Sequence, residues 1–238
     1  MKKTKLRMLA IAVVAIATVG VTKAQVTGVT SPTTCVPPLG GEYAAQFHAH
    51  YTNGANVWDL TNPIHDRFTQ CDPVPPAGSG GSSTHTFGSG VKATVTTNGV
   101  AMQIDAPAQV TVHVQDAGPN ATGGELYQTE MLQLNISGGS LPAGTMIRES
   151  PTLQSTGQTT VKPVAGGFQI DSFFDIFTEL SVDGGATWMP STTGPGHVVL
   201  RTPGSNIPTM GQWGLIIFST LMVAFGVTML NRRKVVAA

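Results

Sequence analysis

Apolar and polar residues alternate along most of this chain, and the alternation has the period of two that belongs to β-strands. Val110, Val112 and Val114 interleave with Thr111, His113 and Gln115, which gives one buried and one wet face. Leu132, Leu134 and Ile136 repeat the pattern before Ser137-Gly138-Gly139. Residues 92–97 and 100–105 flank Asn98-Gly99, the dipeptide suited to a two-residue type I′ hairpin because both positions need positive φ. Further strands are expected at 145–149, 159–163, 167–181 with a break, and 197–201, with strand-like segments earlier at 44–51 and 56–68. Residues 117–124 (AGPNATGG) read as a loop. About eight short strands at this spacing predict an all-β fold, an antiparallel β-sandwich. No repeat of fixed period points to a propeller or solenoid. Phe173 and Phe177 share a parity opposite to Phe174, so that strand is expected to be buried on both sides.

Two segments depart from this pattern because they are apolar throughout. Lys2, Lys3, Lys5 and Arg7 precede an apolar run over 8–21, and Thr22-Lys23-Ala24 supplies small residues before a cut, so residues 1–24 read as a secretory signal helix. At the other end, residues 214–230 carry no charge and are at the short end of what spans a bilayer core. Arg232, Arg233 and Lys234 follow as a membrane stop that favours a cytoplasmic C-terminus. Everything between the two segments is then expected across the membrane.

The tail carries a motif as well. Ile207, Pro208, Thr209, Trp213 and Gly214, with Met210 in place of the usual Leu, resemble the IPTL-CTERM sorting signal of bacterial envelope proteins. The resemblance covers residues 207–238: motif 207–214, membrane helix 214–230, basic end 231–238. It implies recognition by an exosortase-type sorting transpeptidase and a temporary membrane anchor, with final delivery to the envelope, the cell surface or the medium.

Composition sharpens the part in between. Five of the 13 Lys and Arg lie in residues 1–24 and three in 231–238, leaving five against 13 acidic residues and a formal charge of −8. Such a surface repels phosphate backbones, so nucleic acid is not an expected partner. Residues 25–41 form a Thr/Pro-rich lead-in. Residues 42–206 form the exported β-domain, in which 73–83 (PVPPAGSGGSS) read as a flexible loop separating an N-terminal subregion from the main β region. Cys35 and Cys71, the only cysteines, are expected to pair in an oxidising compartment, with two free thiols as the alternative.

Candidate chemistry is sparse. Ser181, Asp183, Gly185, Thr187 and Trp188 match the Asp-box pattern and resemble the hairpin turns of sialidase-type propellers. With one copy in a short chain, the resemblance implies a structural turn and no sialidase site, and Arg67, Arg148 and Arg201 are tied to no tyrosine by a local motif. His48 and His50 share one strand face and could bind a metal, with Asp59, His65 and Asp66 close enough in sequence to complete a site if the disulfide folds that segment back. No recognised ligand spacing accompanies them, so no metal or other cofactor is expected. Asp171 and Asp175 could pair as in a glycosidase, but few aromatics remain to line a cleft. The expectation is therefore a non-enzymatic, structural or adhesive envelope protein. A carbohydrate- or Ca²⁺-binding module is the alternative, and a hydrolase comes after it.

Overall fold

A computed structural model describes residues 28–45 and 47–204. The signal segment at 1–24, the sorting motif at 207–214, the membrane segment at 214–230 and the basic end at Arg232, Arg233 and Lys234 lie outside the described residues. Fifteen strands follow in order: β1 Val29–Ser31, β2 Cys35–Val36, β3 Glu42–Ala44, β4 His48–Asn53, β5 Asn56–Asp66, β6 Asp72–Pro73, β7 Ser82–Thr97, β8 Val100–Pro119, β9 Glu125–Ser137, β10 Met146–Glu149, β11 Ser155–Val164, β12 Gly167–Ile176, β13 Thr178–Ser181, β14 Met189–Pro190 and β15 Gly196–Arg201. Among the described residues there is no helix.

The expectation of all-β holds, but the sandwich does not. Strands β3, β5, β7, β8, β9, β11, β12 and β15 pair with their neighbours in that order, and β15 pairs back onto β3 through Val199↔Ala44 and Leu200↔Tyr43. The result is an eight-stranded, antiparallel, up-and-down barrel. Alternation and turn spacing are the same for a sandwich and a barrel; the ring closes where β15 pairs with β3, after twist accumulated across all eight strands. Eight strands enclose a lumen just wide enough for side chains. Val110, Val114, Ile170, Leu200, Tyr43, Tyr127 and Phe174 fill it. An enclosed space beneath Val36, Phe68, His85 and Phe87 is about 20 Å³, room for one water, and a more open cavity of about 460 Å³ lies between residues 74–77 and Tyr127, Val161 and Phe168.

Several local expectations change for identifiable reasons. The Asn98-Gly99 turn has φ of 48° and 86°, as a type I′ hairpin requires, but it is only the tip of the β7–β8 ribbon. The loop read at 117–124 shrinks, because β8 continues to Pro119. Leu132 does not join Leu134 and Ile136 in the core; it is 49% exposed because the β8–β9 register shifts between Thr111 and Val112, and Met131 takes the inward position. A bulge of this kind flips every side chain before it. Strand β12 breaks from β13 at Phe177 as expected, yet it is not buried on both sides. Ile170, Ser172, Phe174 and Ile176 point inward, while Phe173 lies half-buried outside against His197, ring centroids 5.2 Å apart.

The lead-in and the 73–83 loop do not delimit a subregion. Strand β1 pairs with β12, β2 pairs with β6, and Cys35 is bonded to Cys71 with 5.2 Å between Cα atoms. The loop is tied down: Gly78 N–H donates to Glu125 Oε1 (2.7 Å), Gly80 N–H to Asp116 Oδ2 (2.8 Å), and the Tyr127 hydroxyl to the Pro75 carbonyl (3.1 Å). Strands on both sides of it belong to one barrel.

One irregularity borders the site described below. At Asn62-Pro63, β5 kinks: Asn62 has φ of 51° and Pro63 has no N–H to give the ladder. Across this bulge β5 changes partner, from β4 at Asn56 to Thr61 to β3 at Ile64 and His65. Near the opposite pole, Gly28 N–H donates to the Leu200 carbonyl at 2.9 Å, so the chain enters and leaves the barrel side by side.

Candidate metal centre

Strand β4 alternates cleanly. Ala49 and Tyr51 are each 1% exposed inside the barrel wall, so His48 and His50 must both point outward. The Asn53-Gly54-Ala55-Asn56 turn, with Gly54 at φ 62°, sends β5 back along β4 and sets Asp59 directly opposite His50. Both imidazoles reach the same carboxylate oxygen: His48 Nε2 donates to Asp59 Oδ1, and His50 Nδ1 lies 2.7 Å from it. The rings stand nearly edge to face, centroids 5.8 Å apart. Burial pulls the Asp59 carboxyl upward, but the hydrogen bonds from His50 and His48 outweigh it and hold it below the ordinary carboxylate range.

The backbone of β4 is held on both edges. One edge makes the ladder with β5; on the other, Thr192 N–H and Thr193 Oγ1 donate to the carbonyls of His50 (2.8 Å) and His48 (2.7 Å). Two imidazole nitrogens and a carboxylate oxygen within 4.8 Å of one another are a donor set for a divalent ion.

The other two residues considered for this site go elsewhere. His65 faces the core, with Nε2 2.6 Å from Ser89 Oγ, and burial pushes its pKa down to about 4 although Asp66 opposes this. Asp66 binds Lys92 Nζ at 2.7 Å and lies near Arg67. What assembles His48, His50 and Asp59 is therefore the β4–β5 register. The disulfide, which braces β2 against β6, has no part in it.

The Asp-box segment forms the turn its pattern implies, between β13 and β14. Asp183 Oδ1 accepts from Thr187 N–H (2.9 Å) and from the Ser181 hydroxyl (2.8 Å), and Oδ2 accepts from the Thr187 hydroxyl (2.6 Å). These bonds, that from the Thr187 side chain first, hold its pKa down to about 2. Gly184 and Gly185 have φ of 75° and 91°, and Trp188 Nε1–H closes the turn onto the Gly185 carbonyl. The Arg148 guanidinium lies 3.9 Å over the Trp188 ring while binding Glu179 at 2.7 Å.

Asp171 and Asp175 share the outward face of β12, and Asp175 Oδ1 accepts from His197 Nδ1 at 2.7 Å. Arg67, Arg148 and Arg201 each serve a different carboxylate, Asp105, Glu179 and Glu42.

Two features were missed in the sequence. Nothing local signals that Thr192 and Thr193 lace β4. Glu149 occupies the inward parity of β10 beside Ile147, a signal that was legible; burial pushes it up to about 7, with Glu130 and Glu179 adding to the shift and the Ser155 hydroxyl opposing it. A comparison with known protein families, with curated proteins and with solved structures finds no match to this chain.

Proposed function

We propose that this chain is an exported, non-catalytic barrel domain delivered to the bacterial envelope, where it has a structural or adhesive role through its outer surface. The filled lumen carries the second half of this reading. The enclosed space in the lumen, about 20 Å³, admits no organic ligand, so recognition is assigned to the outer surface, which includes an open cleft of about 460 Å³ between residues 74–77 and Tyr127, Val161 and Phe168. Delivery is supported by the resemblance of residues 207–214 to a sorting motif, with an exosortase-type transpeptidase as the processing partner, and by a disulfide suited to an oxidising compartment. Of the carboxylate pair considered for hydrolysis, Asp175 is engaged with His197.

Deleting residues 207–238 tests the reading. The barrel is expected to be exported and then lost from the membrane and surface fractions; unchanged surface delivery would overturn it.

A second reading, carbohydrate binding, is favoured by one observation. Thr86, Thr111 and Gln133 form a hydrogen-bonded row of hydroxyls and an amide across the outer face of β7, β8 and β9, at 3.2 and 3.5 Å. Retention on a glycan array, lost in Thr111→Val, would support it.

A further inference from the structure

We propose that His48, His50 and Asp59 form a surface site for a borderline divalent cation of the Zn²⁺ class, with three protein ligands and a remaining position open to solvent. The proposal stands independently of the delivery reading.

Donor chemistry selects the ion. Two imidazoles and one carboxylate suit Zn²⁺, Ni²⁺ or Cu²⁺, whereas Ca²⁺ and Mg²⁺ require six or more oxygens, of which the cluster supplies at most two. The geometry is close to that required. Ligands at about 2.0–2.2 Å from a tetrahedral ion stand roughly 3.3 Å apart. His50 Nδ1 and Asp59 Oδ1 are 2.7 Å apart. Admitting the ion therefore asks the Asp59 carboxylate to withdraw by roughly half an ångström from His50 and by about one ångström from His48, within the reach of a side-chain rotation. Each imidazole then binds through the nitrogen facing the carboxylate, giving up any proton held there and carrying its single N–H on the far nitrogen.

Preorganisation separates this cluster from a chance meeting of surface groups. The backbone of His48 and His50 is fixed by the β5 ladder on one side and by Thr192 and Thr193 on the other. Ordering the ligands is therefore part of folding the barrel and is not charged against binding. Access is open, since the side chains of His48, His50 and Asp59 are 52%, 31% and 25% exposed. The same wall offers an internal control: His197 meets Asp175 at 2.7 Å, the same kind of contact without the second imidazole.

The test uses the tag-free full chain in detergent, titrated with zinc chloride by calorimetry and then measured by zinc-edge X-ray absorption. One saturable equivalent per chain is expected, with imidazole scattering in the absorption spectrum and a zinc-dependent rise in Tm. His48→Gln and His50→Gln should each weaken binding by about tenfold or more, as loss of a direct ligand exceeds loss of its supporting contacts. His197→Gln should leave it unchanged. The Tm without zinc reports whether each variant folds; if one does not, the absorption spectrum of the unsubstituted chain decides. Absence of saturable uptake in the micromolar range, uptake unchanged in the His48→Gln/His50→Gln double variant, or a spectrum without imidazole scattering would each overturn the proposal.

Discussion

At the residue scale, two buried titratable groups pull stability in opposite directions. Glu149 sits at about 7 against an ordinary 4.5, so the folded chain holds its proton more tightly than the unfolded one. Its contribution is full below pH 4.5 and is lost as the pH rises through 7. His65 sits at about 4 against an ordinary 6.5, so protonation favours the unfolded chain. Its contribution is full above pH 6.5 and is lost as the pH falls through 4. The His65 effect amounts to roughly 2–4 kcal/mol, and that of Glu149, nearer solvent, to on the order of 1 kcal/mol. The two partly cancel between pH 4.5 and 6.5. Thermal melts across that range should therefore rise with pH for the natural chain, but less steeply than for Glu149→Gln. Glu149→Gln should leave a Tm that rises with pH, and His65→Phe one that falls; parallel profiles in all three proteins would exclude this balance.

Single residues also mark what could be read without a structure. Asn98 and Gly99 announce their turn because positive φ leaves few other choices. Ser181 to Trp188 announce theirs because each side chain has a bond to make inside the segment. Asp59 could not be assigned as the partner of His48 and His50 from spacing, since its place depends on which residue of β5 faces which residue of β4. That register is set by the turn at Gly54-Ala55, which pairs Asn53 with Asn56 and so carries Asp59 to His50.

At the element scale, the predictions concern pairing. Strands β11 and β12 approach so closely at Gly157 that a Cβ there would lie 2.1 Å from the Phe173 carbonyl oxygen and 2.8 Å from the Phe174 ring. Both neighbours are wedged in the sheet, so Gly157→Ala should destabilise by about 1–3 kcal/mol or more, as overpacking does. A denaturation midpoint unchanged by that substitution would mean the two strands can part there. The Cys35–Cys71 bond closes a loop over a sequence separation of 36, which on the chain-entropy model stabilises by roughly 3–4 kcal/mol. Replacing both cysteines with alanine should lower stability by that order, measured in urea under oxidising conditions. Strand positions were largely legible from alternation, as at Val110, Val112 and Val114. Strand ends were less so: β7 begins at Ser82 within a stretch that composition alone assigns to a loop, because Ser, Gly and Thr occupy its outward positions and conceal its inward His85 and Phe87.

At the scale of the whole molecule, closure joins the first and last barrel strands, β3 and β15. Neither alternation nor turn chemistry encodes this, because which edges meet is decided by accumulated twist across all eight strands. Leu200, on the closing strand, has no exposed surface and packs at the seam. Leu200→Ala should destabilise by about 2–5 kcal/mol. The whole barrel should then unfold in one cooperative step, seen as coincident near-UV and far-UV transitions. Since the seam pairs residues as far apart in the sequence as Ala44 and Val199, refolding should take milliseconds to seconds.

The hydrogen bond between Gly28 and Leu200 has an orientational consequence. Incoming and outgoing strands emerge from the same pole, whereas His48, His50, Asp59 and the Asn98-Gly99 tip surround the other. A barrel held by either stem, or by both, is therefore mounted like a lamp on its post. On the delivery proposed above, the pole at Gly28 and Leu200 would face the holder, and the rim with His48, His50 and Asp59 would face away from it.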